Sequence, residues 1–226
     1  MTELTKGERT RKKLVDTTAA LLRRQGYHAT GLSTIVEESG APRGSLYFYF
    51  PGGKDELARA ALEASGEEWR ARIEFAIAGA RDVSTAIDQI VQLLGDDLEA
   101  SGWDNGCPVA AVALETTSGP LRETVAEHYA TWQTTIAVTL VERFGVARPI
   151  AAQLATVALA AIEGALLLAR VHRSRQPLVT VGNALRAMAA IAAQPAPTPP
   201  GSRSSPARRS TVRRPRSTAR RARSGR

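Results

Sequence analysis

Arg43, Gly44 and Ser45 place a forked cation and a hydroxyl on either side of a residue with no side chain. Tyr47, Phe48 and Tyr49 come after Leu46, so two more hydroxyls stand within a helical turn. On a helix, such a glycine lets the backbone approach the floor of a polyanionic groove, because no Cβ holds it away. Arg43 and Ser45 can then reach base edges or phosphates. Tyr47 and Tyr49 can donate to phosphate oxygens while their rings pack behind. Phe48 has no hydrogen-bonding group and suits either a thymine methyl or the covering of apolar surface. Pro42, just ahead of the run, has no N–H to donate.

Other chemistries find little footing. His28, His128 and His172 are too scattered for a zinc motif, so no metal site is expected. Gly52-Gly53-Lys54 lacks the upstream glycine spacing of a P-loop, and no nucleophile elbow or dinucleotide fingerprint occurs. The expectation is a protein that is not an enzyme and carries no cofactor. Cys107 is the single cysteine, which excludes an intramolecular disulfide and fits a reducing compartment. Nothing beside it in sequence would lower its pKa, so it reads as a small buried hydrophobe. The N-terminus lacks the apolar run and cleavage site of a secretory signal, and a cytoplasmic location is expected.

The 226 residues carry a formal charge of +8, but the excess is local. From Pro195 to Arg226 there are ten arginines and no acid, which leaves the rest slightly acidic. Within that remainder, Lys6 to Lys54 holds nine Lys/Arg against four Asp/Glu. Basic charge thus sits at the two ends, as DNA contact through a small N-terminal region would require. The near-neutral body argues against a protein that coats DNA wholesale.

The elements that must hold the Arg43 run follow from helical spacing, which dominates the chain. Thr5-Lys6-Gly7-Glu8 matches a capping box, Leu14, Thr18, Leu21 and Leu22 share one face, and Gly26 is a stop. Thr30 is expected to cap a second helix with Ser33, Ile35, Val36 and Ser39 inward, ended by Gly40. A third is expected to begin near Pro42 and to point Leu46 and Phe50 inward. Three compact helices with a short glycine-containing turn between the last two describe a helix-turn-helix. Beyond Pro51-Gly52-Gly53, a long amphipathic helix is expected from Lys54 to Ala78, striped by Leu57, Ala61, Leu62, Trp69, Ile73 and Ile77. Further helices are expected near Val83–Ala100, Pro108–Thr117, Leu121–Phe144, Pro149–Arg173 and Pro177–Ala193. The fold class is all-α, with domains at 1–53 and 54–194 and a disordered Arg-rich tail at 195–226. That tail suits either a phosphate-neutralising arm or a functionless extension. The apolar stretch Ile150 to Ala169 is long enough to cross a bilayer, but Gln153, Thr156 and Glu163 interrupt it, so a dimerisation helix is expected instead.

The order Gly26-Tyr27-His28-Ala29-Thr30, Ile35-Val36 and Gly40-Ala41-Pro42-Arg43-Gly44-Ser45-Leu46-Tyr47-Phe48-Tyr49-Phe50, running on through Lys54-Asp55-Glu56-Leu57, strongly resembles the DNA-binding signature of TetR-family repressors. Phe50-Pro51-Gly52-Gly53-Lys54 and Gly106-Cys107-Pro108-Val109-Ala110 look like the LmrA/YxaF-type subgroup. The chain departs from the pattern at Ala41, where a serine hydroxyl is common, and at Phe48, where a polar aromatic often stands. The resemblance implies that Thr30 and Lys54 also contact the DNA backbone. It implies a homodimer on a palindromic double-stranded operator, and a helical domain that binds a small, largely apolar inducer. Phe75, Trp103, Glu115, His128, Tyr129, Trp132 and His172 are the candidate ligand residues, though aromatics at helical spacing also read as core.

Overall fold

The computed structural model describes residues 4–192, apart from the side chain of Ala76. The Arg-rich tail expected at 195–226 lies outside the described residues. Regular structure among the described residues is entirely helical: α1 Lys6–Gln25, α2 Leu32–Ser39, α3 Arg43–Tyr49, α4 Lys54–Ala78, α5 Val83–Ala100, α6 Pro108–Ala113, α7 Gly119–Phe144, α8 Arg148–His172 and α9 Gln176–Ala192.

Local chemistry explains the helix ends. The capping box forms: Thr5 Oγ1 accepts from the Glu8 N–H at 3.2 Å, and the Glu8 carboxylate accepts from the Thr5 N–H at 2.7 Å. Those bonds hold the Glu8 carboxyl below its ordinary pKa. Asp82 caps α5 in the same way through the Thr85 N–H at 2.7 Å. Thr30, by contrast, does not cap α2. Gly31 is the N-cap, and the Thr30 hydroxyl turns back to the Gly26 carbonyl at 2.6 Å. Ser33 is exposed rather than inward, while Ile35 and Ser39 are buried. Pro42 stands one residue ahead of α3, as its N-cap.

The sixth helix stops four residues short of the expected Thr117. Thr116 bonds its hydroxyl to the Val112 carbonyl, and Glu115 leaves the helix to reach the α1–α2 loop. The Glu115 carboxylate accepts from the His28 N–H at 2.5 Å. It sits so close to Gly26, itself at φ 78°, that a Cβ there would collide with it. Only glycine meets both demands.

Two apolar clusters organise the packing. The first joins Leu14, Leu21 and Leu22 of α1, Ile35, Leu46 and Phe50, Leu57, Ala61 and Leu62 of α4, Val109 and Val112 of α6, and Leu121 and Val125 of α7. The core therefore does not stop at residue 53. That boundary is one of role, because the side chains on either side of it bury one another. The second cluster joins Leu94 and Leu98 of α5, Ala165 and Ala169 of α8, and Leu178 of α9. Burying each leucine stabilises the fold by roughly 1.5–3 kcal/mol before entropy is counted.

Helix α8 is long and apolar enough to cross a membrane, with a mean hydropathy of 1.9, yet little of that stretch is buried. Val157, Leu167, Leu168 and Val171 stand exposed on it, with Val179, Met188 and Ile191 on α9.

Candidate nucleic-acid interface and internal cavity

Helices α2 and α3 meet through Gly40, which takes a left-handed φ of 62°. The Ser39 hydroxyl steadies the turn, donating to the Val36 carbonyl at 3.2 Å and accepting from the Ala41 N–H at 3.3 Å. Leu46 and Phe50 anchor α3 from beneath. This anchoring turns Arg43, Gly44, Tyr47 and Phe48 to solvent, the last at 77% exposure. Ser45 and Tyr49 are half-buried at the edges, with Tyr49 edge-to-face against Phe48 at 4.9 Å. A Cβ at Gly44 would meet nothing within 4 Å, and its backbone is ordinary helix. Nothing within the described protein requires glycine there. Its helix penalty of about 1 kcal/mol relative to alanine is compensated only if something outside comes close.

Two residues carried over from the resemblance are differently engaged. Thr30 is buried at 1% exposure, and its hydroxyl donates to the Gly26 carbonyl. Lys54 lies with Nζ 4.2 Å from the centre of the Tyr27 ring and 3.4 Å from the His28 carbonyl. Burial pulls its pKa below the usual lysine value. The Tyr27 hydroxyl donates to Asp55 and is pushed up to about 12 by burial and that carboxylate. Lys54 thus braces the loop between α1 and α2 from the start of α4.

The helical body bears a cavity of about 230 Å³, partly open to solvent, among α4, α5, α7, α8 and α9. Trp69, Ile73, Ile90, Trp132, Ile136, Leu159 and Ile162 make most of its wall. Polar groups are few: Asp97, Asn105, Cys107 and Glu163 are the main ones at one end.

Of the seven expected ligand residues, only Trp132 lines this cavity. Phe75 is 85% exposed, because α4 turns it away. Trp103 sits in the α5–α6 loop at φ 72°, packed on the second core. Glu115 serves the α1–α2 loop instead. His128 lies against Gly66 of α4 and near Trp132, and burial lowers its pKa. Tyr129 stands edge-to-face with Trp132 at 5.6 Å, its hydroxyl pushed well above the ordinary tyrosine value by burial and then by Glu163. His172 is exposed in the last turn of α8.

The residues missed were Glu163, Asn105, Trp69 and Ile73. Glu163 did leave a signal, as the one ionisable side chain between Ile150 and Ala169. Cys107 accepts from the Ala110 N–H at 3.4 Å, and burial raises its thiol well above the usual cysteine value.

A three-helix reader with an exposed basic-aromatic face, joined by a long helix to a cavity-bearing helical body, defines a helix-turn-helix regulator. Comparison with known proteins places it more closely. Residues 14–61 match the model of bacterial regulatory proteins of the tetR family, and residues 83–184 match the LmrA/YxaF-like C-terminal domain of transcriptional regulators. The HTH-type regulator YxaF of Bacillus subtilis is 36% identical over 76% of this chain and 90% of its own. The regulator LmrA of the same organism is 34% identical over 77% and 94%. A TetR regulator from Chloroflexus aurantiacus superposes with a TM-score of 0.64 at 32% identity, covering 81% of this chain and 96% of that one. The chain belongs to the TetR family of transcriptional regulators, with an LmrA/YxaF-like C-terminal domain, and that family consists of regulators rather than enzymes.

Proposed function

We propose that the protein is a cytoplasmic repressor that binds a palindromic operator as a homodimer and leaves it when a small, largely apolar ligand fills the cavity. One observation carries the reading: a bare glycine flanked by Arg43, Tyr47 and Phe48 faces solvent on a body that also bears a mostly apolar cavity. Arg43 is the residue for base edges, since a bidentate arginine–guanine contact is the commonest specific one. Ser45, Tyr47 and Tyr49 suit phosphates. Pro42 fixes the entry to α3, and Phe48 offers a thymine-methyl contact.

A single reader covers too few base pairs for a specific site, so two must act together. The exposed apolar stripe of α8 and α9 supports pairing through those helices, since a soluble monomer rarely leaves so much apolar helix uncovered. Gly164, beside the stripe and open to solvent, would let a second backbone approach closely.

A ligand acts only if it prefers the conformation that cannot bind DNA. Gly106 and Cys107 line the cavity and lead directly into α6, whose Val109 and Val112 pack in the core that holds α1. A shift of the cavity wall therefore has a packed route to the reader. Anisotropy titration with duplexes tiled across the gene's own upstream region tests the reading. One duplex should bind in dimer stoichiometry. Equal affinity for every duplex would refute it.

A further inference from the structure

The charges around the cavity are paired with one exception. Arg70 is held by Glu67 at 2.6 Å and Glu74 at 2.7 Å. Asp97 takes Arg72 at 3.1 Å and, on its other oxygen, the Asn105 amide at 3.1 Å. Glu163, in the middle of α8 between Ile162 and Leu166, forms no ion pair among the described residues. Its polar neighbours are the Cys107 thiol and the Tyr129 hydroxyl, both neutral. Neither supplies positive charge. The Cys107 contact offers one weak hydrogen bond to a group that accepts about four.

A half-buried carboxyl on the wall of a mostly apolar cavity is costly unless something answers it, and a hydrophobic side chain would pack as well. We propose that the cavity takes a lipophilic cation, its apolar body against Trp69, Trp132 and Ile136 and its protonated nitrogen on the Glu163 carboxylate. The aromatic faces favour the same sign of charge. Burial raises the pKa of the free carboxyl. An ammonium beside it favours the ionised form and forms an ion pair in a mostly apolar setting. The assignment rests on the ligand-release reading only for its biological meaning, since occupancy of the cavity can be measured without DNA.

The test uses the full-length protein and three molecules of one shape: naphthylmethylammonium, naphthalenemethanol and naphthoate, titrated calorimetrically. The cation should bind at least about ten-fold tighter than the alcohol, and the alcohol tighter than the acid. In Glu163→Gln, which keeps the shape, the cation's advantage should vanish while the alcohol stays within about two-fold. The wild-type ranking stands as evidence even if the variant folds poorly. The proposal is overturned if the alcohol or acid matches the cation, if none binds, or if the advantage survives the substitution. Operator release is scored separately. Release by the alcohol alone would keep the repressor reading and end this one. Cation binding with the expected ranking but without release would do the reverse.

Discussion

The Arg170 guanidinium of α8 donates to the carbonyl of Arg24, near the C-terminal end of α1, at 2.8 Å. It also lies against Gly106, on the cavity wall. One side chain thus touches the chamber's rim and the first helix of the reader. A cation beside the last carbonyls of a helix is favoured by the aligned peptide dipoles. If release is transmitted here, Arg170→Ala should keep ligand affinity within about two-fold and operator affinity near wild type, yet need several-fold more ligand for release. Unchanged release at saturating and sub-saturating ligand would show that the coupling runs elsewhere.

Gly44→Ala separates structure from recognition. The added methyl meets open space on a helical backbone, so thermal stability should rise by up to about 1 kcal/mol. Operator affinity should nonetheless fall, because the methyl stands where the groove floor would come. Calorimetric melting and anisotropy on one preparation check both signs. A stabilised variant with undiminished affinity would place the DNA contact off this face.

Arg43→Ala should lower operator affinity by roughly 1–3 kcal/mol and relax preference at one base pair. Tyr47→Phe should weaken operator and random duplex alike, as loss of a phosphate contact does. Competition binding against single-position operator variants reads the difference. Equal losses on operator and random DNA for Arg43→Ala would reverse the two assignments.

Arg175 clamps Asp96 and Glu99, tying the α8–α9 turn to α5. Hydrogen bonding from Arg175 holds the Glu99 carboxyl below its ordinary value of 4.5. The unfolded chain therefore binds this proton more readily than the folded one. The pairing helps above about pH 4.5 and is lost as pH falls through the lower folded pKa. Acid unfolding curves of Arg175→Ala should show a shallower loss of stability below that pH than wild type. Parallel curves would mean the pair contributes nothing, as exposed pairs often do.

Leu168→Glu places charge in the exposed stripe of α8. It should yield a monomer in sedimentation and lower operator affinity at least about ten-fold, with the helical spectrum retained. A dimer that survives it would move the interface off this stripe.

The reader was legible in the sequence because its requirements are local. A capping box, stop glycines and a fixed run at Arg43 each act within a few residues, and α4 and α5 begin and end where spacing placed them. Small errors arose where tertiary contacts overrode local preference: Thr30 spent its hydroxyl on Gly26, and Glu115 left α6 for His28. The chamber was largely illegible, because its wall draws on five helices whose crossing angles no single stretch encodes. Aromatic content pointed to Phe75 and Trp103, which packing turned elsewhere. Leucines and isoleucines that look like ordinary core line the space instead.

The shared core across residue 53 bears on how such regulators can be recombined. A hybrid made by grafting another reader onto this body at Gly53 would cut between Leu14, Leu22 and Phe50 on one side and Leu57, Leu62, Val109, Val112 and Val125 on the other. Mismatched shapes across that seam would leave voids, at roughly 2–5 kcal/mol for each leucine-sized gap. A workable exchange must carry the α6 segment and the opening turns of α4 and α7 with the reader, so the smallest portable unit is discontinuous along the chain.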